Sequence, residues 1–141
     1  MTGRGSARGI VVDTSAAFAM ITGEPSAGDL RTIVASTRQC LMSAASLAEL
    51  GVVMSRRFAA SGPAICSAFV FQSGVEVVPV DQRIAMRAIE AHYAFGNGRH
   101  PARLNYGDCF TYATAAMSGL PILCVGTDFA RTDVEVVSVS L

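Results

Sequence analysis

Short apolar runs alternate with longer amphipathic stretches along most of the chain. Five of the runs have the length and composition of buried strands; they cover residues 9–13, 40–43, 75–80, 122–125 and 134–139, the last as a short edge strand. Between the runs, apolar residues recur every three or four positions, as they do on one face of a helix. Strands that alternate with helices predict an α/β sandwich around a central, mainly parallel sheet of four to five strands.

Capping and breaking residues set the expected limits of the helices. Asp81 and Asn105 have the side chains of N-caps, while Gly23 and Pro25 stop a helix that begins near Thr14. Helices are expected over residues 14–22, 26–37, 46–58, 63–72, 81–95 and 105–118, with a loop at 96–103. A chain of 141 residues has the size of one domain, so residues 1–141 are interpreted as a single domain with a flexible tail at 1–8.

The composition excludes several kinds of chemistry. All 11 basic residues are arginines, balanced by 11 acidic residues, so there is no lysine for Schiff-base catalysis or for a phosphate-binding loop. A net charge of zero means that a polyanion must bind a local patch. The four cysteines form no Cys-x-x-Cys pair, which argues against a zinc site. The apolar stretches are too short or too broken for a membrane span or a signal peptide, so a cytoplasmic protein with reduced thiols is expected.

Four carboxylates are each the only charge in a long uncharged stretch: Asp13, Glu49, Asp108 and Asp128. Asp13 ends the first strand and Asp128 follows the fourth, so both belong at the carboxyl edge of a parallel sheet, where functional sites gather. Glu49 follows the second strand and Asp108 opens the helix that leads into the fourth, so all four can converge. Clustered carboxylates repel one another unless a cation enters, and hard oxygen ligands favour Mg²⁺ or Mn²⁺.

Two of these acids have local surroundings that bear on the interpretation. The helix dipole favours Asp108 in a first turn, so a capping role is the alternative there. Glu49 shares a helical face with Ala45, Val52 and Val53, and this face is too apolar to be a solvated one. A metal held by carboxylates and water suits phosphoryl transfer, because it polarises a phosphate and lowers the pKa of a bound water.

The residues around Asp108 resemble a known family. The segment 100–113, followed by 119–123 and by Asp128-Phe129 with Thr132-Asp133, is similar to the C-terminal half of the VapC toxins, which are PIN-domain ribonucleases. Residues 12–15 resemble the first motif of that family and residues 46–50 the second. The resemblance therefore spans Ile10 to about Val137 and implies a PIN-like α/β/α fold and the toxin of a type II toxin–antitoxin system.

The resemblance also implies a chemistry and a set of partners. The family carries its metal on four acids, and the matching positions are Asp13, Glu49, Asp108 and Asp128. It implies Mg²⁺- or Mn²⁺-dependent endonucleolytic cleavage of single-stranded or structured RNA, leaving 5′-phosphate and 3′-hydroxyl ends. A homodimer is implied, as is a cognate VapB antitoxin that covers the acidic site and alone contacts operator DNA. Many relatives have Lys and then Asn or Asp where this chain has Val125 and Thr127, so contacts made by that lysine are absent here.

Roles follow for these acids and for several neighbours. We expect Asp13 and Asp108 to hold the principal metal, while Glu49 and Asp128 complete the cluster or orient the attacking water. The hydroxyl residues Ser15 and Thr127 are expected either to support the ligands or to act as cap and turn residues, and Asp133 either to support the site or to be a turn residue near Arg131. RNA contacts, or a merely solvated rim, are expected at Arg56, Arg57, Arg99, His100 and Arg103.

Three alternatives stay open at this point. The helix 14–22, with Phe18, Met20 and Ile21, is expected either to pack in the core or to contact a dimer partner or an antitoxin. A catalytically inactive PIN-like module that binds RNA or protein has the same fold. Phosphatase chemistry at an aspartyl nucleophile is the third, but it normally needs a lysine and, in haloacid-dehalogenase-like enzymes, an acid where this chain has Ser15.

Overall fold

The computed structural model describes residues 8–139 of the chain. Its strands are β1 (Gly9–Val12), β2 (Gln39–Ser43), β3 (Glu76–Val78), β4 (Ile122–Cys124) and β5 (Val136–Ser138). Its α-helices are α1 (Thr14–Thr22), α2 (Ala27–Ser36), α3 (Ala44–Phe58), α4 (Gly62–Ser73), α5 (Gln82–Phe95) and α6 (Tyr106–Ser118), with 3₁₀ turns at Ala59–Ser61 and Phe129–Arg131. The expected N-terminal tail lies, apart from Arg8, outside the described residues.

The five strands form one sheet in the order β3-β2-β1-β4-β5, and every neighbouring pair is parallel. The predicted parallel sheet is therefore confirmed, and so is its short edge strand. The third strand ends earlier than residue 80 because Pro79, which has no N–H to donate to a sheet, follows Val78 directly.

Helices cover both faces of the sheet, which gives the predicted α/β/α sandwich. The central strand β1 is fully buried, and its side chains alternate between two cores. Ile10 and Val12 pack with apolar residues of α1, α2, α3 and α4, whereas Val11 packs with those of α5 and α6. Met20 is buried in the first core, with Phe18 and Ile21 packed against it, so the core interpretation of α1 holds.

The caps predicted for α5 and α6 form as expected. The Asp81 carboxylate accepts a hydrogen bond from the Ile84 N–H at 2.9 Å, and Asn105 caps α6. The helix α3 begins earlier than predicted, at Ala44, because Ser43 ends β2 and caps the helix at once through the Ala45 N–H. All four cysteines are buried free thiols. None of the helices within residues 8–139 has the length and hydropathy needed to cross a membrane.

Candidate metal centre

The topology brings the four isolated acids to the carboxyl edge of the sheet. Asp13 follows β1 directly, Glu49 lies in α3 after β2, Asp108 lies in the first turn of α6, and Asp128 follows β4. All four line one cleft of about 440 Å³, a volume that suits a small ligand or part of a chain of nucleotides. The four acids thus line the same cleft, as the sequence led us to expect.

Asp13 is the most buried of the four, with 5% of its surface exposed. Its Oδ1 accepts a hydrogen bond from the Thr111 hydroxyl at 2.7 Å, and its Oδ2 accepts from the Ser15 hydroxyl at 2.7 Å and the Ser15 N–H at 3.0 Å. These donors offset the cost of burying a carboxylate. Ser15 therefore combines both expected roles, because its N–H satisfies the cap of α1 and its hydroxyl supports Asp13.

Two buried hydroxyl groups near Asp13 were not predicted from the sequence. Thr111 is fully buried, and its Oγ1 lies 3.0 Å from the Oγ of Ser46, which is also fully buried. The pair links α6 and α3 to the carboxylate that follows β1. The available signal was a hydroxyl residue one helical turn after Asp108.

Glu49 is held between two helices. Its Oε1 accepts a hydrogen bond from the Thr14 hydroxyl at 3.0 Å, and its carboxylate lies against Gly107 of α6. The expectation that its helical face is buried and apolar is wrong in one respect, since Val52 is 52% exposed. Glu49 is half-buried because it lines the cleft and contacts α1 and α6.

Asp108 is both a cap and a member of the cleft, so the two interpretations of this residue are compatible. Its Oδ2 accepts from the Asn105 N–H at 3.0 Å, while its own N–H donates to Asn105 Oδ1 at 2.8 Å, which completes a capping box. Burial, together with the negative charges of Asp13, Asp128 and Glu49, raises the pKa of Asp108 to about 7, although the Asn105 hydrogen bond acts in the opposite direction. The carboxylates are thus close enough to repel one another.

Asp128 reaches the cleft through a tight turn after β4. Gly126 has φ +107°, a conformation that side chains disfavour, and Phe129 is buried in the core on the other side of Asp128. These two anchors leave Asp128 exposed at the cleft. Nearby, burial and the negative charges of the acids raise the pKa of the Cys124 thiol to about 12, so this residue is a neutral thiol in the metal-free protein.

Two expected supporting residues do not line the cleft. Thr127 is exposed, and its carbonyl accepts from the Ala130 N–H at 3.2 Å, as in a turn. Asp133 accepts a hydrogen bond from the Tyr112 hydroxyl, beside Arg87, on a different surface of the molecule. Of the two roles expected for Asp133, support of the acids is therefore wrong, because its carboxylate is bound to Tyr112 away from them.

One acid that the sequence interpretation left aside does line the cleft. Glu24 is half-buried there, two residues after the end of α1. Gly23, with φ 71°, ends that helix in a left-handed conformation and reverses the chain just before Glu24. A glycine cap followed by an acid was the sequence signal.

The arginine candidates differ in their relation to the cleft. Arg57 lies with its guanidinium carbon 5.7 Å from the ring centroid of Phe18, which lines the cleft. Arg99 instead stacks on Tyr93 at 4.9 Å. The remaining candidates are exposed at the end of α3 (Arg56) or belong to the loop before α6 (His100 and Arg103). Among the described residues, no arginine lines the cleft itself.

The donor set fits a hard divalent cation by its chemistry. Carboxylate oxygens are the ligands that Mg²⁺ and Mn²⁺ prefer, and the mutual repulsion felt by Asp108 is what a bound cation would relieve. Within residues 8–139, however, no three acidic, histidine or cysteine side chains are close enough to ligate one ion. The carboxylates of Asp13, Glu49 and Asp108 are instead satisfied by the hydrogen bonds described above.

Comparison with known proteins gives relatives over nearly the whole chain. The family model of the PIN domain matches residues 10–135. Ribonuclease VapC30 of Mycobacterium tuberculosis is 41% identical over 131 residues, which are 92% of this chain and 98% of the relative. Ribonuclease VapC of Mycolicibacterium smegmatis is 42% identical over 128 residues, which are 91% of this chain and 99% of the relative.

Solved structures agree on the fold. Mycobacterium tuberculosis VapC20, a sarcin–ricin loop cleaving toxin, matches with a TM-score of 0.74 at 20% identity, over 91% of this chain and 98% of that one. VapBC2 from Rickettsia felis, bound to a DNA fragment from its promoter, matches with a TM-score of 0.73 at 13% identity, over 94% and 99%. PIN-domain ribonucleases are generally metal-dependent, in keeping with the acid cleft. The chain therefore belongs to the PIN-domain family, among the VapC ribonucleases.

Proposed function

We propose that this VapC ribonuclease cleaves single-stranded or structured RNA with Mg²⁺ or Mn²⁺, as the toxin of a toxin–antitoxin pair. The observation that carries the proposal is the cleft lined by Asp13, Glu49, Asp108 and Asp128, with no arginine among its described lining residues. A phosphodiester cannot approach such a surface unless a cation neutralises it, and a divalent cation supplies that charge.

The four acids divide the task by their surroundings. Asp13 and Asp108 would hold the principal ion, since Thr111 and Ser15 orient the first and the capping box orients the second. When bound, the ion would polarise the scissile phosphate and lower the pKa of a bound water. Glu49 and the exposed Asp128 complete the cluster or orient that water.

RNA would reach the acids along the side of the cleft where Arg57 lies over Phe18. A guanidinium there attracts the phosphates that flank the scissile bond without entering the metal centre. Since VapC20 is described as cleaving the sarcin–ricin loop, a hairpin with that loop belongs among the test substrates beside unstructured RNA.

A VapB-type antitoxin is the proposed partner, and a homodimer the proposed state of the toxin in the cytoplasm. Structures of VapBC complexes from Rickettsia felis and Salmonella typhimurium, both bound to DNA, share the fold of this chain. The formal net charge of zero supports an indirect relation to DNA, through the antitoxin alone.

One alternative has an observation of its own. A catalytically inactive module that binds RNA or protein would account for the fact that no three metal-ligating side chains converge within residues 8–139. Identity of about 41% to proteins named ribonucleases favours the enzyme.

The test is cleavage of a fluorescent RNA library by the purified, antitoxin-free protein with Mg²⁺, Mn²⁺ or EDTA, with Asp13→Asn as the control. We expect cuts that require the metal and disappear in the variant. Folded protein that binds RNA but cuts none of it with either metal would favour the binding module.

A further inference from the structure

Gly107, the second residue of α6, stands where helix formation does not call for glycine. It is flanked by Tyr106 and by Asp108, and its backbone is helical, a conformation that every residue other than proline adopts more readily than glycine. A β-carbon built at this position would lie 2.5 Å from Oε1 of Glu49 and 2.8 Å from both Cδ and Oε2 of the same side chain. The nearest obstacle is thus a single carboxylate.

We infer that Gly107 is a positioning residue, whose missing side chain makes the space that the Glu49 carboxylate occupies in the acid cleft. This inference rests on the proposed function of that cleft. It concerns where Glu49 is held, whether Glu49 acts on the metal directly or through a bound water.

Other glycines show what a structural requirement looks like in the same fold. A β-carbon on Gly62 would meet the Ser55 backbone N and Cα at 2.7 Å, and one on Gly9 would meet the Gln39 carbonyl oxygen at 2.8 Å. Backbone cannot move aside without disturbing the fold. At Gly107 the obstacle is the end of a flexible side chain, so a substitution there would displace the Glu49 carboxylate and leave the fold intact.

The Glu49 carboxylate is fixed from its other side as well. Thr14, the first residue of α1, donates a hydrogen bond to its Oε1 at 3.0 Å. Thr14 follows Asp13 in the chain, and Gly107 precedes Asp108. The two contacts therefore set Glu49 relative to the two acids expected to hold the ion, at the positive end of the α6 dipole.

The experiment compares Gly107→Ala with Gly28→Ala. Gly28 is the second residue of α2, just as Gly107 is the second residue of α6, and a β-carbon on Gly28 meets no atom within 4 Å. Both variants should unfold at or above the temperature of the wild type, because alanine is the better helix former. Only Gly107→Ala should bind Mn²⁺ more weakly, by about tenfold in calorimetric titration without RNA. It should also lower kcat for RNA cleavage more than it raises KM.

A second substitution makes the test specific for the contact. Glu49→Asp shortens the side chain by one methylene group and frees the space that the new β-carbon needs. The double variant Gly107→Ala/Glu49→Asp should therefore bind Mn²⁺ more tightly than the sum of the two single losses predicts.

Three outcomes would overturn the inference. One is wild-type Mn²⁺ affinity and kcat in Gly107→Ala, the second is additive losses in the double variant, and the third is unfolding of Gly107→Ala under conditions in which Gly28→Ala stays folded. Wild-type protein that binds no Mn²⁺ and cuts no RNA would overturn the proposed function together with this inference. Normal wild-type activity with an unaffected Gly107→Ala would overturn the inference alone.

Discussion

Two polar regions of the molecule are built on opposite principles. Around Tyr112, charges are paired: Arg87 lies 3.4 Å from Glu90 and over the Tyr112 ring, and the Tyr112 hydroxyl donates to Asp133. The cleft instead is lined by several carboxylates, and none of its described lining residues is basic. The first region stabilises the packing of α5, α6 and the segment after β4, whereas the second concentrates negative charge, which we propose serves to bind a cation.

The hydroxyl groups sharpen this contrast. Those of Ser15, Thr111 and Thr14 donate to acids of the cleft and orient them, but they bring no neutralising charge. Hydrogen bonds of this kind hold a buried carboxylate in place and leave it able to bind a metal. Removal of an acid should therefore impair function when the acid lies in the cleft, and only packing when it lies beside Tyr112.

The largest effect is expected from the acids themselves. Asp13→Asn should lower RNA cleavage on the order of 100-fold, since it removes a charged oxygen ligand from the centre of the cleft. Asp133→Asn is the matched control and should change cleavage less than about twofold, with loss of stability as its main effect. Rates of RNA cleavage and thermal unfolding of both variants check this, and equal loss of cleavage in the two would erase the distinction between the regions.

A smaller effect is expected from the buried hydroxyl that orients Asp13. Thr111→Val should lower cleavage by about tenfold, because Asp13 Oδ1 loses its donor. Thr114→Val, in the same helix, removes a buried hydroxyl that donates only to the Phe110 carbonyl at 2.9 Å. Each should cost about 1 kcal/mol of stability. Measured kcat values that fall equally in both variants would show that helix stability, and not the position of Asp13, limits the reaction.

The rim of the cleft should show a weaker dependence. Arg57→Gln is expected to raise KM for RNA by about tenfold at most and to reduce the salt dependence of binding by about one counterion. Arg56→Gln, one residue earlier on the exposed end of α3, should have the smaller effect, because the structure places Arg57 over Phe18. RNA binding measured over a series of salt concentrations compares the two variants. A stronger effect of Arg56→Gln would show that RNA does not approach the cleft along Arg57.

The last expected effect is a pH dependence of stability rather than of cleavage. Without metal, the folded-state pKa of Asp108 is raised to about 7 from its ordinary value of 3.8, so the folded protein keeps a proton that the unfolded chain releases. The associated stability is fully present below about pH 4 and is lost as the pH rises through about 7. The unfolding temperature measured in EDTA should therefore fall more steeply across this pH range in the wild type than in Asp108→Asn. Parallel curves would show that Asp108 does not feel the other carboxylates.

The sheet and the four acids could be predicted from the sequence, because the signals for them lie in short segments of the chain. Short apolar runs and capping side chains specify strands and helices through residues that are close in sequence. Pro79 likewise explains the early end of β3. Carboxylates isolated among apolar residues need partners, and a parallel sheet has one edge where they can meet. The PIN resemblance then named the same four positions.

The residues that orient the acids could not be predicted in this way. Thr111 and Asp13 are 98 positions apart, and Ser46 and Thr111 are 65 apart, so only the folded chain pairs them. For the same reason, the sequence did not show that Asp133 accepts a hydrogen bond from Tyr112, which lies 21 positions earlier in the largely apolar helix α6. Side-chain pairing over long separations depends on packing that periodicity does not encode.

Whether the acid cleft binds a divalent cation can be measured by calorimetric titration of the metal-free protein with Mn²⁺ at neutral pH. We expect saturable binding by the wild type and its loss in Asp13→Asn and Asp108→Asn, with Asp133→Asn binding as the wild type does. Folded wild-type protein that binds no Mn²⁺, or a double variant Asp13→Asn/Asp108→Asn that binds it equally well, would show that the acid cleft is not a metal site.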